Sequence, residues 1–273
     1  MSALSVPLLL ELAALGVFAG FLAGLLGIGG GMLMVPILTM VFDGQGVAAG
    51  AAVKMAIATS MATILFTSLS SLRAHHRKGA VRWPIVAGMA PGILVGGLVG
   101  GAGVFALLRG QALALCFAAF VGWSAFSMLR GRQAHAHRQM PGWPVQAAAG
   151  SGIGLVSGLV GAGGGFLSVP FMTWGNVPIH QAIATSAALG FPIALANTLG
   201  YVIGGRHMAP LLPGAYGYLY LPALATIACA SVVMAPLGAR AAHALDVAHL
   251  KRLFAILLFA LAGYMAWRAL KGG

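Results

Sequence analysis

The chain has 273 residues, of which 60% are hydrophobic and only 7% charged, with a mean hydropathy of +0.97. A soluble domain carries about a quarter of its residues as charges, so a water-soluble fold is excluded, and no polar stretch is long enough to form a separate soluble domain. The net charge of +12 rests on 15 Lys and Arg that fall mainly between apolar runs; this is the pattern of helix-end charges that orient a membrane protein, not of a basic nucleic-acid surface with interleaved aromatics.

Segments apolar enough to cross about 30 Å of hydrocarbon lie near 6–42, 47–72, 84–108, 111–129, 145–174, 178–204, 214–237 and 252–270. No Lys or Arg precedes Lys54, so the positive n-region of a cleavable signal is missing and the first segment is read as a mature helix. As one helix it would be about 55 Å long. It is interrupted by Gly27, Gly29, Gly30 and Gly31 and then by Pro36, so a broken or re-entrant element is predicted. Glycine gives up backbone entropy in a helix and proline removes a donor, so such a run suits only a place where freed backbone groups face protein or a wet cavity. Amides exposed at a new half-helix would offer an anion site; the plain alternative is close helix packing through small residues.

The second segment carries Lys54 and the pentapeptide AIATS from Ala56 to Ser60. The hydroxyls of Thr59 and Ser60 can donate to an anion without bringing a permanent charge into the bilayer, or can bond back to their own helix. Basic stretches follow at 73–82, with His75, His76, Arg77 and Lys78, and at 130–143, with Arg132, His135, His137 and Arg138. Both read as loops, in which neighbouring arginines oppose metal binding.

At 145–174 the glycine break returns. Gly20 to Leu38 aligns with Gly154 to Met172 at an offset of 134, with 10 identities in 19 positions, and places Gly161, Gly163, Gly164 and Gly165 opposite the first run. AIATS recurs from Ala182 to Ser186 at an offset of 126, supplying Thr185 and Ser186, and Pro84 with Pro222 and Gly122 with Gly263 continue the correspondence. The chain therefore reads as one membrane domain, 1–273, built from two repeats of about 1–133 and 144–273. The expected fold is an all-α polytopic bundle.

The second copy adds Gln181 and Asn197 as amide donors, with Ser71 as the offset partner of Asn197. Asn197 is the better candidate ligand, because a buried amide left unpaired is costly. Lys54 aligns with His180, an anion-attracting and, through His180, proton-linked pair, or two helix-end groups that snorkel to the interface. Only Glu11, Asp43 and Asp246 are acidic; cation pathways generally place carboxylates within the membrane, so the scarcity favours an anion. Cys116 and Cys229 sit apart in apolar runs and read as packing residues. No catalytic motif or paired carboxylate occurs, so neither an enzyme, a cofactor nor a metal site is expected.

Topology turns on the broken segments. Four crossings per half would make the repeats parallel with cytoplasmic termini, whereas re-entrant breaks would make them inverted with both termini outside. The basic residues divide equally between the two arrangements. Broken segments at matched positions favour inversion.

The run GLLGIGGG to Pro36 from Gly24, its second copy from Gly158 to Pro170 and the doubled AIATS resemble the sulfite exporter TauE/SafE family of bacterial membrane permeases, over essentially the whole chain. The resemblance implies inner-membrane export of small sulfur-containing anions, such as sulfite or organosulfonates, driven by the proton gradient. Carried over by position, it points to the two glycine runs, Thr59, Ser60, Thr185, Ser186 and Asn197; Ser71 in place of a second asparagine departs from a symmetric site. The reading is a secondary transporter with a midplane site, in contact with a small anion and the lipid bilayer, and its small-residue faces are compatible with a homodimer. A passive anion channel and a membrane-embedded interaction subunit are the competing readings.

Overall fold

The long apolar segments are mostly helix in the computed structural model, which describes residues 6–27, 29–130, 139–242 and 247–271. The elements are α1 (Val6–Leu26), α2 (Gly31–Gly44), α3 (Ala49–His76), α4 (Trp83–Leu98), a π-helical stretch (Val99–Val104), α5 (Phe105–Leu107), α6 (Gly110–Arg130), α7 (Trp143–Val160), α8 (Gly165–Trp174), α9 (Ile179–Gly205), a short hairpin of β1 (Ala215–Tyr216) and β2 (Leu219–Tyr220), α10 (Leu221–Ala241) and α11 (Val247–Lys271). Among the described residues, seven helices are long and apolar enough to cross a membrane, with Val99–Val104 continuing α4 into α5 as one span. The chain is a multi-pass all-α membrane protein.

Composition explains the local structure. Trp83-Pro84, Trp143-Pro144 and Leu221-Pro222 open α4, α7 and α10 with proline in the first turn, where its missing N–H costs nothing. Apolar residues surround each helix, because lipid covers the outside and protein the inside.

Glycine sets the packing. Gly16, Gly20 and Gly24 of α1 lie against Ile227, Ser231 and Ala235 of α10, so the two helices run parallel with backbones nearly touching. Gly92, Gly96 and Gly100 meet Ala147, Ser151 and Leu155 in the same way, joining α4 and its π-helical continuation to α7. Lipid offers no hydrophobic drive between helices, so close approach is the main source of association. α6 and α11 pack antiparallel, with Gln111 Nε2 donating to the Ala269 carbonyl at 3.4 Å.

The first break turns the chain back on itself. Near the end of α1 the Gly24 carbonyl meets His75, late in α3. After the turn Gly31 lies beside Ile64, and at the end of α2 Asp43 and the Ala49 carbonyl share Arg268. The contacts therefore retreat along α3 from His75 to Ile64 to Ala49. α10 begins beside Thr59, where the Tyr220 amide donates to the threonine hydroxyl at 3.1 Å, and α1 runs alongside α10. The segment starts and ends toward the same end of α3.

Three sequence readings are corrected. His75 is not in a loop: α3 continues to His76 and His75 is buried. The apolar segment expected from 214 begins as a hairpin, and helix starts only at Leu221. Cys116 and Cys229 are exposed on the bundle's outer face rather than packed within it. The basic stretch at 131–138, with His135 and His137, and Asp246 lie outside the described residues.

Candidate functional site

The two glycine runs meet at the centre of the bundle. Gly27 (φ 67°) follows the end of α1, and Gly29 and Gly30 have φ of 77° and 73° before α2 begins; in the second run Gly161 (φ 71°) caps the end of α7 and Gly164 (φ 74°) the start of α8. These are left-handed conformations that glycine adopts without a Cβ penalty. A Cβ on Gly29 would lie 2.9 Å from Gly163 Cα, and one on Gly31 would collide with the Gly161 carbonyl. Among the described residues, Gly29, Gly30, Gly163 and Gly164 donate no backbone hydrogen bond, as expected for groups around the start of a helix.

Serines from the AIATS pentapeptides fasten each break to the opposite half. Ser186 Oγ donates to the Gly27 carbonyl at 2.9 Å and receives a bond of 2.9 Å from Ser168, while Ser60 Oγ donates to the Gly161 carbonyl at 3.4 Å. The threonines accept amide protons just before helices: Tyr220 N–H reaches Thr59 Oγ1 at 3.1 Å, and Arg82 N–H reaches Thr185 Oγ1 at 3.0 Å. One turn or more beyond, His75 Nε2 donates to the Gly24 carbonyl at 3.2 Å and the Tyr201 hydroxyl donates to that of Gly158. Gly27, Gly30, Gly31, Gly161, Gly163, Gly164, Gly165, Thr59, Ser60, Thr185 and Ser186 are all buried, and Gly29 is half-buried.

The other sequence candidates stand apart from this crossing. Asn197 is fully buried, but its amide donates to the carbonyls of Gly154 at 3.2 Å and Ile193 at 2.9 Å, and it packs against Gly97 and Gly158. It ties α9 to α7 beside the π-helical stretch. The Lys54 ammonium bonds the Ala106 carbonyl at 3.0 Å and lies 5.6 and 5.5 Å from the Phe105 and Tyr218 ring centroids, a cation–π cage closed by the hairpin. Burial pushes the phenols of Tyr218 and Tyr220 above their ordinary value. Gln181 accepts from Arg82 Nε at 2.7 Å in an exposed position, and His180 is exposed at the start of α9.

Beside the crossing a narrow cleft with room for about one water molecule is lined by Gly27, Gly29, Gly163, Thr67, Ser68, Ser71, Ser186 and Gly190 with two alanines. Thr67, Ser68 and Gly190 escape a sequence search for donors at matched positions, because α9 carries Ile193 and Ala194 where α3 has Thr67 and Ser68. A signal was nonetheless present: Thr59, Thr63, Thr67, Ser71 and His75 recur every fourth residue, one face of a helix.

The family model described as Sulfite exporter TauE/SafE matches residues 12–265. A probable membrane transporter protein of Haemophilus influenzae is 34% identical over 249 residues, covering 90% of this chain and 94% of that protein. Proteins described in the same words from Methanocaldococcus jannaschii and Xylella fastidiosa are 28% and 29% identical, each covering 93% of both chains. No solved structure matches the chain significantly. With crossed glycine breaks at the centre of a multi-pass bundle and a match over nearly its whole length, the chain belongs to the sulfite exporter TauE/SafE family of membrane transporters.

Proposed function

We propose that this protein is a secondary transporter of a bacterial-type inner membrane that exports small sulfur-containing anions, sulfite or organosulfonates, at the expense of the proton gradient. The cargo site lies between two inverted repeats, where the glycine breaks meet. The observation that carries this reading is the crossing itself: unpaired amides and serine hydroxyls gather in the bundle's interior, and such breaks serve transporters as ion and substrate sites. Inversion is supported by the re-entrant course of α1 and α2, which leaves α3, α4 and α6 as crossings before α7. It is supported also by reciprocal contacts, since Ser60 to Gly161 and Ser186 to Gly27 exchange partners between halves.

Alternating access follows from this frame. Neutral donors hold the anion while the halves rock about the crossing, and the close glycine contacts allow sliding without side chains to interlock. Purified protein in proteoliposomes should move sulfite or methanesulfonate faster when a proton gradient is imposed. Flux indifferent to that gradient would make the protein a passive channel, and no flux of either anion would remove the proposed cargo. A reporter fused after Gly273 should lie outside the cytoplasm; a cytoplasmic signal would reject inversion.

A further inference from the structure

The cleft beside the crossing is one-sided. Ile64 of α3 presses on Gly29 and Gly31, whereas the residue 126 positions later on α9 is Gly190, which lines the cleft and lets the Ser68 side chain pack close against it. On the opposite side Ile193 fills the space at Gly164. Thr67 shares a hydrogen bond of 2.6 Å with Ser231, Ser68 bonds weakly to the Leu65 carbonyl at 3.2 Å and Ser186 is doubly bonded. Ser71 differs. It is 2% exposed and lines the cleft, and its Oγ has no hydrogen-bond partner among the described residues. An unsatisfied buried hydroxyl costs about 1–3 kcal/mol, so its retention at the wall of a cleft points to a partner that arrives from outside.

We infer that this cleft is the cargo site, that Ser71 is a donor held for the bound anion, and that the site selects singly charged oxyanions over doubly charged ones. The inference rests on the transport reading above and deepens it. The lining offers hydroxyls and glycine amides but no Lys, Arg or His. His75 follows Ser71 by one turn, and its Nε2–H is directed to the Gly24 carbonyl. Desolvation cost grows with the square of the charge, and neutral donors cannot offset it for a dianion as a buried cation would. As it stands the cleft has room for about one water molecule, so an anion enters it as α3, α9 and the first break part.

The test compares methanesulfonate, permanently a monoanion, with sulfate in proteoliposomes of the full chain. Wild type should carry methanesulfonate at least tenfold faster than sulfate, and Ser71→Ala should lower methanesulfonate flux about tenfold while its melting temperature stays near wild type. In a chain whose Cys116 and Cys229 are replaced by serine, Ser71→Cys should react with a small methanethiosulfonate reagent. Methanesulfonate should slow that reaction, and sulfate should not. Flux of methanesulfonate that is unchanged in Ser71→Ala, or labelling of Ser71→Cys that methanesulfonate does not slow, overturns the site while leaving transport standing. Equal flux of the two anions overturns the charge selection. Wild type that moves neither anion overturns the transport reading and this inference together.

Discussion

Helices α3 and α9 perform the same framing task with different chemistry. At a spacing of 126 residues, Thr59 and Thr185 accept amides from the residues before α10 and α4, and Ser60 and Ser186 hold the opposite break. Further along, His75 and Tyr201 each donate to a glycine carbonyl of the helix before a break. Between these shared points the two faces part: Thr67, Ser68 and Ser71 on α3 stand where α9 has Ile193, Ala194 and Asn197. What is common maintains the crossing; what differs places the cleft on one side.

The harshest challenge to the common frame is Gly31→Ala. The added Cβ would collide with the Gly161 carbonyl oxygen, a backbone atom that no side-chain rotation can move away. We expect a loss on the order of 4 kcal/mol, in the upper tail for single substitutions, read as absent monodisperse protein in detergent. Gly152→Ala on α7 is the comparison, since nothing lies within 4 Å of the new Cβ. It should be neutral or stabilising by up to about 1 kcal/mol. Equal behaviour of the two variants would show that the breaks do not meet as described.

A smaller effect is expected where only the first half is tied. Asp43 at the end of α2 pairs with Arg268 of α11, which also donates to the Ala49 carbonyl at 2.9 Å. Val177, at the offset of 134, gives α8 no such tie. The Arg268 side chain is 10% exposed but that of Asp43 is 33% exposed, so Asp43→Asn should cost about 1–2 kcal/mol, between the surface and buried limits. Thermal unfolding in detergent should show the cost, and raised salt should narrow the gap to wild type; a gap that salt leaves unchanged would assign the loss to packing.

Sequence pattern carried the helices, the two breaks and the pentapeptides, because glycine runs and apolar length are statements about backbone and solvent that need no tertiary partner. The destination of a side chain is another matter. Asn197 read as a ligand because a buried amide must be satisfied, and it is, at one end, by the Gly154 and Ile193 carbonyls. Lys54 read as an anion attractor, yet its partners come from Phe105 and from a hairpin tyrosine 164 positions away. Ser71 drew notice only as an imperfect match for Asn197; its unpartnered oxygen emerges from packing of α3 against α9 and the first break. His75 was hidden by the arginines around it, which mark a helix end as readily as a loop.

The finest contrast lies within the pair of serines that fasten the breaks. Ser186 sits between two partners, Gly27 and Ser168, each at 2.9 Å, whereas Ser60 has a single long contact of 3.4 Å to Gly161. Both side chains are fully buried, so burial does not separate them and geometry must. Ser186→Ala deletes both bonds and leaves the Ser168 hydroxyl and the Gly27 carbonyl to find other partners, which should cost about 1–2 kcal/mol. Ser60→Ala removes a bond near the limit of useful length and should cost about 0.5 kcal/mol or less. Melting curves of the two variants, recorded in one detergent, should therefore separate in that order. A reversed order would mean that the first-half pentapeptide, not the second, is the stronger clasp on the crossing.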